Sequence, residues 1–471
     1  MTTKDYDVIV VGGGGAGISA AILAHDAGAK VLLVEAGARV GGSTRLSGGV
    51  FYAAGTSVQE EAGIEDSSDD MVNYYSALNQ HRVQPALVRA LAENAAPTLE
   101  WLISLGVSFP VSGLYVGGVE GVARSHKPIG LGEAVVERLD AALSDRAIDV
   151  ALKTRVEELL TDENGDVVGV RSDEDNVYSH AVILATGGFG NNRYYLNKYY
   201  PDALKAGRAS WCISADTCVG DGLVLGLQVE AAIEGHNRGL LLVSPGFQRH
   251  LESRVPSWLI YVNRDGKRFV NEKAPYAVMS GVVASQSGRS CFAIFDEESR
   301  LQGDVEELNR PNWETSVVAE AAQKGSIACA DSIEQLAIAM GIRASALINT
   351  IKEYNGFCDA GVDKSFFKNG ELRHIKTPPF YGVEMKPEII ALTSAGLLID
   401  SEAQVRSDNN LPIRGLFAAG EVTGGVLGER YVGSGNAVAN AITFGRIAGA
   451  SAARHCAKER IIQSNLPLKS A

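Results

Sequence analysis

The sequence predicts an α/β fold in which a parallel sheet with an added β-meander forms one domain and a smaller α+β domain is inserted into it. Three observations support this prediction. A short apolar strand runs into a glycine-rich turn over YDVIVVGGGGAG (6–17). Two further apolar strands end in glycine turns, ILATGGFG (183–190) and LPIRGLFAAGEVTGG (411–425). The stretch 235–392 lacks such patterns, which favours an inserted domain.

The composition argues against several classes of protein. The 471 residues carry a net charge of −13, and no basic stripe is visible, so nucleic-acid binding is not expected. No apolar run reaches the roughly 18 residues that a membrane span needs. The opening MTTKDYDVIVVGGG has no charged and apolar leader, so we expect a cytoplasmic protein. The six cysteines are scattered without a C-x-x-C pair, so we expect no metal site.

The first strand and turn carry a dinucleotide-binding pattern. Gly12, Gly14 and Gly17 precede a run of small and apolar residues typical of a helix, and the strand KVLLVE then ends in Glu35. The first glycine permits a tight turn, and the second lets the backbone approach a pyrophosphate. The helix N-terminus supplies N–H groups, and Glu35 can accept hydrogen bonds from ribose hydroxyls. The alternative is an ordinary βαβ turn, but the complete order of strand, turn, helix, strand and acid favours a Rossmann-like domain.

Three later segments distinguish FAD from NAD. GGSTRLSGG (41–49), ILATGGFG and LPIRGLFAAGEVTGG together resemble FAD enzymes of the fumarate reductase and succinate dehydrogenase flavoprotein superfamily. TCVGDGL (217–223) and TSAGLLID (393–400) extend the resemblance over most of the chain. It implies FAD as cofactor, and we find no second fingerprint for NAD(P)H.

The resemblance also implies which residues bind FAD. Some members tether the flavin to a histidine in the segment that corresponds to 41–49, and this chain has none there, so we expect non-covalent FAD. The expected cofactor-binding residues are Gly12, Gly14, Gly17, Glu35, Ser43, Gly49, Val156, Gly187, Asp221, Gly420, Glu421 and Val438.

The domain organisation follows from the positions of these motifs. We assign residues 1–234 and 393–471 to the FAD-binding domain and 235–392 to an inserted capping domain. Within the first part, the alternating runs around the Asn164-Gly165 turn signal predict the β-meander. In the superfamily such a cap covers the flavin, which implies a substrate between the two domains.

Two positions argue against a fumarate reductase. Such enzymes typically carry a histidine where GGVLG has Leu427, and an arginine shortly after the N-E dipeptide of the cap. After Asn271-Glu272, no arginine appears until Arg289. Arg430 remains as a carboxylate binder near the flavin, or else forms a surface salt bridge.

The same segments resemble 3-ketosteroid dehydrogenases. NEKAPY (271–276) is similar to their N-E-x-x-P-Y segment, and YVGSGNAVANAITFG (431–445) to their Y-x-G-x-G segment. The resemblance implies that Tyr276 is the base and that Tyr431 and Gly435 bind the ketone oxygen. It also implies a supporting tyrosine, for which Tyr115 is the candidate. Each of these tyrosines could instead be a packed aromatic residue.

The proposed roles suit the chemistry of ketone desaturation. Loss of an α-proton requires stabilisation of negative charge on the ketone oxygen, and the β-hydrogen leaves as hydride to the flavin N5. A phenol and a backbone N–H at a helix N-terminus form an oxyanion-hole-type pair, with each donor worth roughly 3 kcal/mol. Ser434 occupies a position where a proline is common in Δ1-desaturating members. It is either a helix cap or a residue that alters regiochemistry.

We therefore expect an FAD-dependent desaturase of a cyclic ketone, either a steroid (Δ1 or Δ4) or a smaller ring such as 4-oxocyclohexanecarboxylate. Electrons would pass to an external acceptor, because the chain shows no haem or cluster ligands. Two alternatives remain: a reductase of an unsaturated carboxylate such as fumarate or urocanate, and a flavin-binding redox sensor or electron-transfer subunit. The oligomeric state is not indicated.

Overall fold

The secondary structure is taken from a computed structural model, which describes residues 4–206, 210–249, 251, 255–302 and 311–464. The strands are β1 (Tyr6–Val11), β2 (Val31–Glu35), β3 (Phe51–Tyr52), β4 (Leu114–Tyr115), β5 (Ser125–His126), β6 (Asp149–Leu152), β7 (Glu158–Thr161), β8 (Val167–Ser172), β9 (Asp175–Leu184), β10 (Trp211–Cys212), β11 (Ile233–Glu234), β12 (Gly239–Ser244), β13 (Ile260–Val262), β14 (Cys291–Asp296), β15 (Ala328–Ala330), β16 (Phe380–Thr393), β17 (Gly396–Leu398), β18 (Gln404–Arg406), β19 (Pro412–Ala418) and β20 (Thr423–Gly424).

The helices are α1 (Gly15–Asp26), α2 (Gly42–Leu46), α3 (Ser57–Glu61), α4 (Ser68–Leu78), α5 (Pro85–Ser104), α6 (Leu131–Ser144), α7 (Arg193–Tyr199), α8 (Asp221–Gln228), α9 (Tyr276–Ala284), α10 (Glu297–Arg300), α11 (Thr315–Gln323), α12 (Ile333–Met340), α13 (Ala344–Ala360) and α14 (Asn436–Ser464). The chain divides into two compact units. The first comprises the described parts of Met1–Leu204, Cys212–Leu240 and Ala391–Ala471, and the second those of Lys205–Trp211 and Leu241–Ile390.

A parallel sheet forms the centre of the first unit, as the apolar runs of the sequence predict. Its strand order is β18-β19-β9-β1-β2-β6, and the pairs β19-β9, β9-β1, β1-β2 and β2-β6 are parallel. Strands β1 and β2 are buried from Asp7 to Val11 and from Val31 to Glu35, and most of these residues are apolar, as expected in a parallel sheet covered on both faces. The carboxyl ends of β1, β2, β9 and β19 therefore meet at one edge, where ligands bind in open α/β sheets.

The β-meander joins this sheet through its longest strand. β7 pairs with β8, and β8 with β9, both antiparallel, while the far end of β9 continues in the parallel sheet. The predicted Asn164-Gly165 turn lies between β7 and β8, and Gly165 has a φ of +82°. The predicted α/β class with a meander is thus confirmed.

Helices α1 and α14 approach each other at backbone distance. A Cβ on Gly445 would lie 2.3 Å from the carbonyl oxygen of Ala16, and one on Gly449 2.3 Å from that of Ala20. Only glycine permits such contact. This packing brings the C-terminal helix against the helix that follows the nucleotide fingerprint.

A small antiparallel sheet, which the sequence does not signal, completes the part of the first unit that matters here. Its order is β3-β5-β4. Tyr52 pairs with Ser125, and Ser125 pairs with Tyr115, so these three residues form a row across the sheet. Partners in register project to the same face.

The second unit is an α+β structure built on antiparallel strands. β13 pairs with β14, β14 with β16, and β15 with β16. Trp258 and Trp313 lie in one of its apolar cores, and helices α12 and α13 cover another through Leu336, Leu347 and Ile351. Among the helices that the structure describes, none is long and apolar enough to cross a membrane.

Candidate active site

The glycines of the fingerprint form a turn that other side chains could not occupy. Gly12 has a φ of +106°, and a Cβ there would lie 2.3 Å from the carbonyl oxygen of Ala185. A Cβ on Gly17 would lie 1.8 Å from the carbonyl oxygen of Gly12. Gly14 is the N-cap of α1 in an extended conformation. The amides of Ala16 and Gly17 have no acceptor among the described residues, so the turn presents N–H groups that fit a pyrophosphate.

Glu35 ends β2 beside this turn, as predicted. Its two carboxylate oxygens accept the amides of Gly13 and Gly37, each at 2.6 Å. A carboxylate has about four lone-pair sites, so two remain for hydroxyl donors such as those of a ribose. Glu35 therefore holds the two glycine segments together and is also suited to bind a ribose.

Ser43 lies in helix α2, and Gly49 follows this helix. The Ser43 hydroxyl accepts the amide of Ala215 at 3.0 Å and lies 3.4 Å from the Cys218 sulfur. Burial raises the pKa of the Cys218 thiol to about 12, so this cysteine stays protonated. Gly49 has a φ of +65°, and a Cβ there would lie 2.6 Å from the amide nitrogen of Gly132.

Val156, Gly187 and Asp221 come from three further segments of the first unit. Val156 is buried between β6 and β7. Gly187, after β9, has a φ of +74°, and its Cβ would lie 2.8 Å from the Cys218 sulfur. Asp221 is the first residue of α8 and forms an ion pair with Arg155. Burial raises the pKa of Asp221, while Arg155 opposes that shift.

The remaining expected FAD residues belong to the C-terminal segment. Gly420 has a φ of +84°, and its Cβ would lie 3.0 Å from that of Ala16 on α1. Glu421 accepts the amide and the hydroxyl of Thr393 at 2.8 and 2.9 Å, and burial raises the pKa of its carboxyl. The amide of Val438, in the first turn of α14, has no acceptor in the described part of the chain.

Tyr431 lies five residues before Asn436, the first residue of α14. Its phenol oxygen accepts the amide of Ala437 at 2.9 Å, one of the N–H groups that have no partner within the helix. The predicted role of Tyr431 as a donor to a ketone oxygen stays a prediction.

Gly435 forms the last step of the turn into α14. It has a φ of +93°, and a Cβ would lie 2.7 Å from the carbonyl oxygen of Val50. Its amide has no acceptor among the described residues. Tyr431 and Gly435 thus lie within one short turn whose glycine is required by both conformation and space.

Tyr115 and Ser434 are directly connected. The phenol of Tyr115 donates to the Ser434 hydroxyl at 2.7 Å, and the hydroxyl of Ser125 donates to the Ser434 carbonyl at 2.7 Å. The amide of Ser434 donates to the carbonyl of Gly117 at 3.2 Å. The small sheet therefore holds the turn from several sides, which gives Ser434 a structural partner that its sequence position does not reveal.

Several residues that support the turn were missed by the sequence analysis. A Cβ on Gly433 would lie 2.8 Å from the ring of Tyr52. Tyr75 donates to the side-chain oxygen of Asn436, and the side chain of Asn79 accepts the amide of Arg430 at 2.7 Å. No motif marks these residues. Their only sequence signal is the end of an amphipathic helix at Asn79.

Tyr276 lies in the second unit as the first residue of α9, after Pro275, and is half-buried. The Glu272 of the N-E dipeptide is anchored in the same unit. Its carboxylate accepts the amide of Tyr261 at 3.0 Å and forms two hydrogen bonds of 2.9 Å with Arg268. The N-E dipeptide therefore holds the segment that leads into α9.

One position that departs from the fumarate reductase pattern, Leu427, lies four residues before Tyr431 in the same segment. Leu427 is buried. Arg430 is exposed and forms no ion pair with a described residue, whereas its neighbour Glu429 pairs with Arg82 and Arg238. The described residues therefore do not provide the surface salt bridge that was one of the two interpretations of Arg430. In the described residues, no group of side chains could hold a metal ion.

The donor set of the first unit fits FAD. It combines N–H groups at the start of α1, a carboxylate at the end of β2, and N–H groups at the start of α14. The FAD binding domain family matches residues 7–438. The chain is 35% identical over 464 residues to "Fumarate reductase (cytochrome)" of Shewanella frigidimarina, covering 96% of this chain and 78% of that protein.

Two further relatives are named as steroid dehydrogenases. "3-oxosteroid 1-dehydrogenase" of Mycolicibacterium smegmatis is 26% identical over 574 residues, covering 98% of this chain and 99% of that one. The structure of 3-ketosteroid-delta4-(5alpha)-dehydrogenase from Rhodococcus jostii RHA1 superposes with a TM-score of 0.81 at 26% identity, covering 96% and 98%. The chain therefore belongs to the FAD binding domain family, as an FAD-dependent oxidoreductase of the fumarate reductase and ketosteroid dehydrogenase superfamily.

Proposed function

We propose that this protein is a dehydrogenase that introduces a C=C bond α,β to the ketone of a cyclic substrate. The observation that carries the proposal is the turn before α14, where the Tyr431 phenol accepts the amide of Ala437 and the Gly435 amide has no acceptor among the described residues. Such a pair of donors suits an oxygen that gains negative charge. Bound FAD supplies the acceptor for the hydride that leaves the β-carbon.

The roles of the residues follow from the balance of the reaction. One C–H bond breaks at the α-carbon and its proton passes to a base, for which we propose Tyr276. The electron pair moves towards the ketone oxygen, where Tyr431 and Gly435 stabilise the charge. A second C–H bond then breaks at the β-carbon as the new double bond forms. Removing one oxyanion donor typically costs about 100- to 1,000-fold in rate.

The substrate is either a steroid or a smaller ring. The similarity to two steroid enzymes at 26% identity supports the first. Arg430, which is exposed and forms no ion pair with a residue that the structure describes, supports a smaller ring with a carboxylate, such as 4-oxocyclohexanecarboxylate, because an arginine can bind a carboxylate through two parallel hydrogen bonds. An external acceptor must reoxidise the enzyme in either case. We also propose that FAD is bound without a covalent link.

A second candidate function is the reduction of an unsaturated carboxylate. It is favoured by the higher identity, 35%, to a protein named fumarate reductase and by 32% identity to one named urocanate reductase. Against it stands Leu427 at the position of the expected histidine.

The two candidates differ in which compounds exchange electrons with the flavin. Anaerobic oxidised holoenzyme should lose its flavin absorbance with a cyclic ketone from a panel that includes 4-oxocyclohexanecarboxylate and a 3-oxosteroid. Reduced holoenzyme should be reoxidised by cyclohex-2-enone and not by fumarate or urocanate. A response to the unsaturated acids alone would rule out the ketone desaturase.

Variants of the two tyrosines test the residue roles. Tyr431→Phe and Tyr276→Phe should each reduce ketone oxidation by about 100-fold or more while FAD stays bound. Tyr178→Phe is the matched control, since its ring contacts only the Lys4 ammonium among the described interactions of its side chain. Near-normal turnover in both active-site variants would remove the proposed site.

A further inference from the structure

The small sheet presents a row of three side chains to the turn that contains Ser434. Tyr52, Ser125 and Tyr115 pair in register across β3, β5 and β4 and therefore share a face. Ser125 binds the Ser434 carbonyl, and Tyr115 binds the Ser434 hydroxyl, each at 2.7 Å. Tyr52 contacts the neighbouring Gly433. The row fixes both the backbone and the hydroxyl oxygen of Ser434.

The hydroxyl hydrogen of Ser434 is the one donor of this residue that has no acceptor among the described residues. Its amide donates to Gly117 and its carbonyl accepts from Ser125. Its hydroxyl oxygen accepts from Tyr115, so the single hydroxyl hydrogen must be donated elsewhere. Among the described residues no acceptor receives it. Ser434 is also the residue immediately before Gly435, whose amide likewise has no acceptor in the described protein.

We propose that the Ser434 hydroxyl is a third hydrogen-bond donor to the substrate oxygen, next to Tyr431 and Gly435. The inference rests on the function proposed above. Tyr115 then acts through Ser434 as a positioning residue, because its phenol donates to the serine oxygen and polarises the serine hydrogen. This role differs from the support of Tyr276 that the family resemblance implies for Tyr115.

A third donor favours the charged form of the substrate over the neutral one. A ketone oxygen has two lone pairs, which Tyr431 and Gly435 can fill. The oxygen of an enolate has three, so a third donor gains an acceptor only as negative charge develops. Interactions that strengthen in the transition state accelerate the reaction, whereas equal binding of both states does not. The ligand class that this site should prefer is therefore an oxyanion on a ring.

Binding to the oxidised holoenzyme separates the two forms without turnover. The charged probe is 4-nitrophenolate, used above its own pKa, and the neutral probe is cyclohex-2-enone. Both are titrated by the change in flavin absorbance. Ser434→Ala should weaken 4-nitrophenolate binding about 10- to 100-fold, as expected for a hydrogen bond to a charged group. It should change cyclohex-2-enone binding less than about threefold.

The link to Tyr115 is tested with a double-mutant cycle. Tyr115→Phe should weaken 4-nitrophenolate binding about three- to tenfold in the wild-type background and not at all in the Ser434→Ala background. Ser434→Thr, which keeps the hydroxyl, should restore most of the affinity, and Ser434→Cys should not. Ser179→Ala is the matched control, because this buried hydroxyl binds the carbonyl of Ala181 on its own strand.

Each contrary result overturns the inference. If Ser434→Ala weakens the binding of both probes equally, the Ser434 side chain affects only the shape of the site. An unchanged affinity, no binding of 4-nitrophenolate by the wild-type holoenzyme, or a full effect of Tyr115→Phe without Ser434 also rejects it. Failure of the proposed function is distinct: no cyclic ketone would then reduce the flavin, although 4-nitrophenolate binding could still depend on Ser434.

Discussion

The carbonyl oxygen of Val50 lies 2.7 Å from the position that a Cβ of Gly435 would occupy. Val50 directly precedes β3, and Gly435 directly precedes α14. The small sheet and the C-terminal helix therefore meet at backbone distance where the proposed oxyanion donors lie. This contact makes Gly435 sensitive to the smallest substitution.

Gly435→Ala should disturb the turn and impair ketone oxidation. The positive φ alone costs roughly 1–2 kcal/mol for a residue with a side chain, and the contact with Val50 adds to that cost. We expect a lower thermal unfolding temperature and a drop in kcat/KM of about 100-fold. Gly121→Ala is the control, because a Cβ there meets no atom within 4 Å. If the two variants have the same unfolding temperature and the same kcat/KM, the proposed role of Gly435 in binding the ketone oxygen is contradicted.

Acid precipitation of the holoenzyme should release all of its FAD. The segment 41–49 contains no histidine, and Ser43 in this segment already binds Ala215 and contacts Cys218. The absorbance of the supernatant measures released flavin, and fluorescence of the washed pellet measures any that remains attached. Flavin in the pellet after denaturation would show a covalent link and would disprove the prediction.

Arg268→Met should destabilise the second unit by about 3–5 kcal/mol, as expected when a buried ion pair loses one partner. Arg268 binds Glu272 at 2.9 Å and Asp363 at 2.8 Å, and these three side chains are at most 5% exposed. Without it, the ion pair of Glu272 with Lys368, whose ammonium lies 3.5 Å away, remains, and Asp363 keeps no ion pair with a described residue.

Urea unfolding followed by tryptophan fluorescence measures this effect, because Trp258 and Trp313 lie in a core of the same unit. Arg264→Met is the control. Arg264 forms an ion pair with Glu384, and the two side chains are 41% and 35% exposed. Exposed ion pairs contribute less than about 1 kcal/mol to the free energy of unfolding. If both variants lose a similar free energy of unfolding, the buried ion pairs of Arg268 stabilise the unit no more than the exposed pair of Arg264 does.

Stability should fall as the pH drops below the ordinary pKa of histidine, in part because of His126 on β5. Burial lowers the pKa of His126 below its usual value of 6.5, although carbonyls of Phe51 and Arg124 near its Nδ1 oppose the shift. The unfolded chain then takes up the proton at a higher pH than the folded one. The contribution of His126 is therefore complete above pH 6.5 and is lost as the pH falls towards the lower folded pKa.

Comparing urea midpoints at about pH 7.5 and about pH 5.5 tests this sign, and His126→Gln should reduce the difference. His180 and His455 also have pKa values lowered by burial, so part of the slope should remain. A midpoint that rises on acidification, or a His126→Gln variant with an unchanged slope, would contradict the prediction.

The sequence by itself determined the fold class and the nucleotide-binding turn. Strands β1, β2, β9 and β19 could be predicted because each contains an apolar run that leads into a glycine turn or an acid. Gly12 and Gly17 could be assigned because their spacing reflects a local requirement for close backbone approach. These signals lie within a few residues of one another.

Only the tertiary structure decided how the turn before α14 is held. Strands β3, β4 and β5 have two residues each, too few to show a periodicity. Tyr115 reaches Ser434 across 319 positions and Ser125 across 309, and such contacts depend on the register of the small sheet and its approach to α14. A sequence pattern records local conformation, whereas a hydrogen bond between distant segments exists only after their elements have packed. For that reason Ser434 looks like an exception to a family pattern in the sequence and becomes a partner of Tyr115 in the structure.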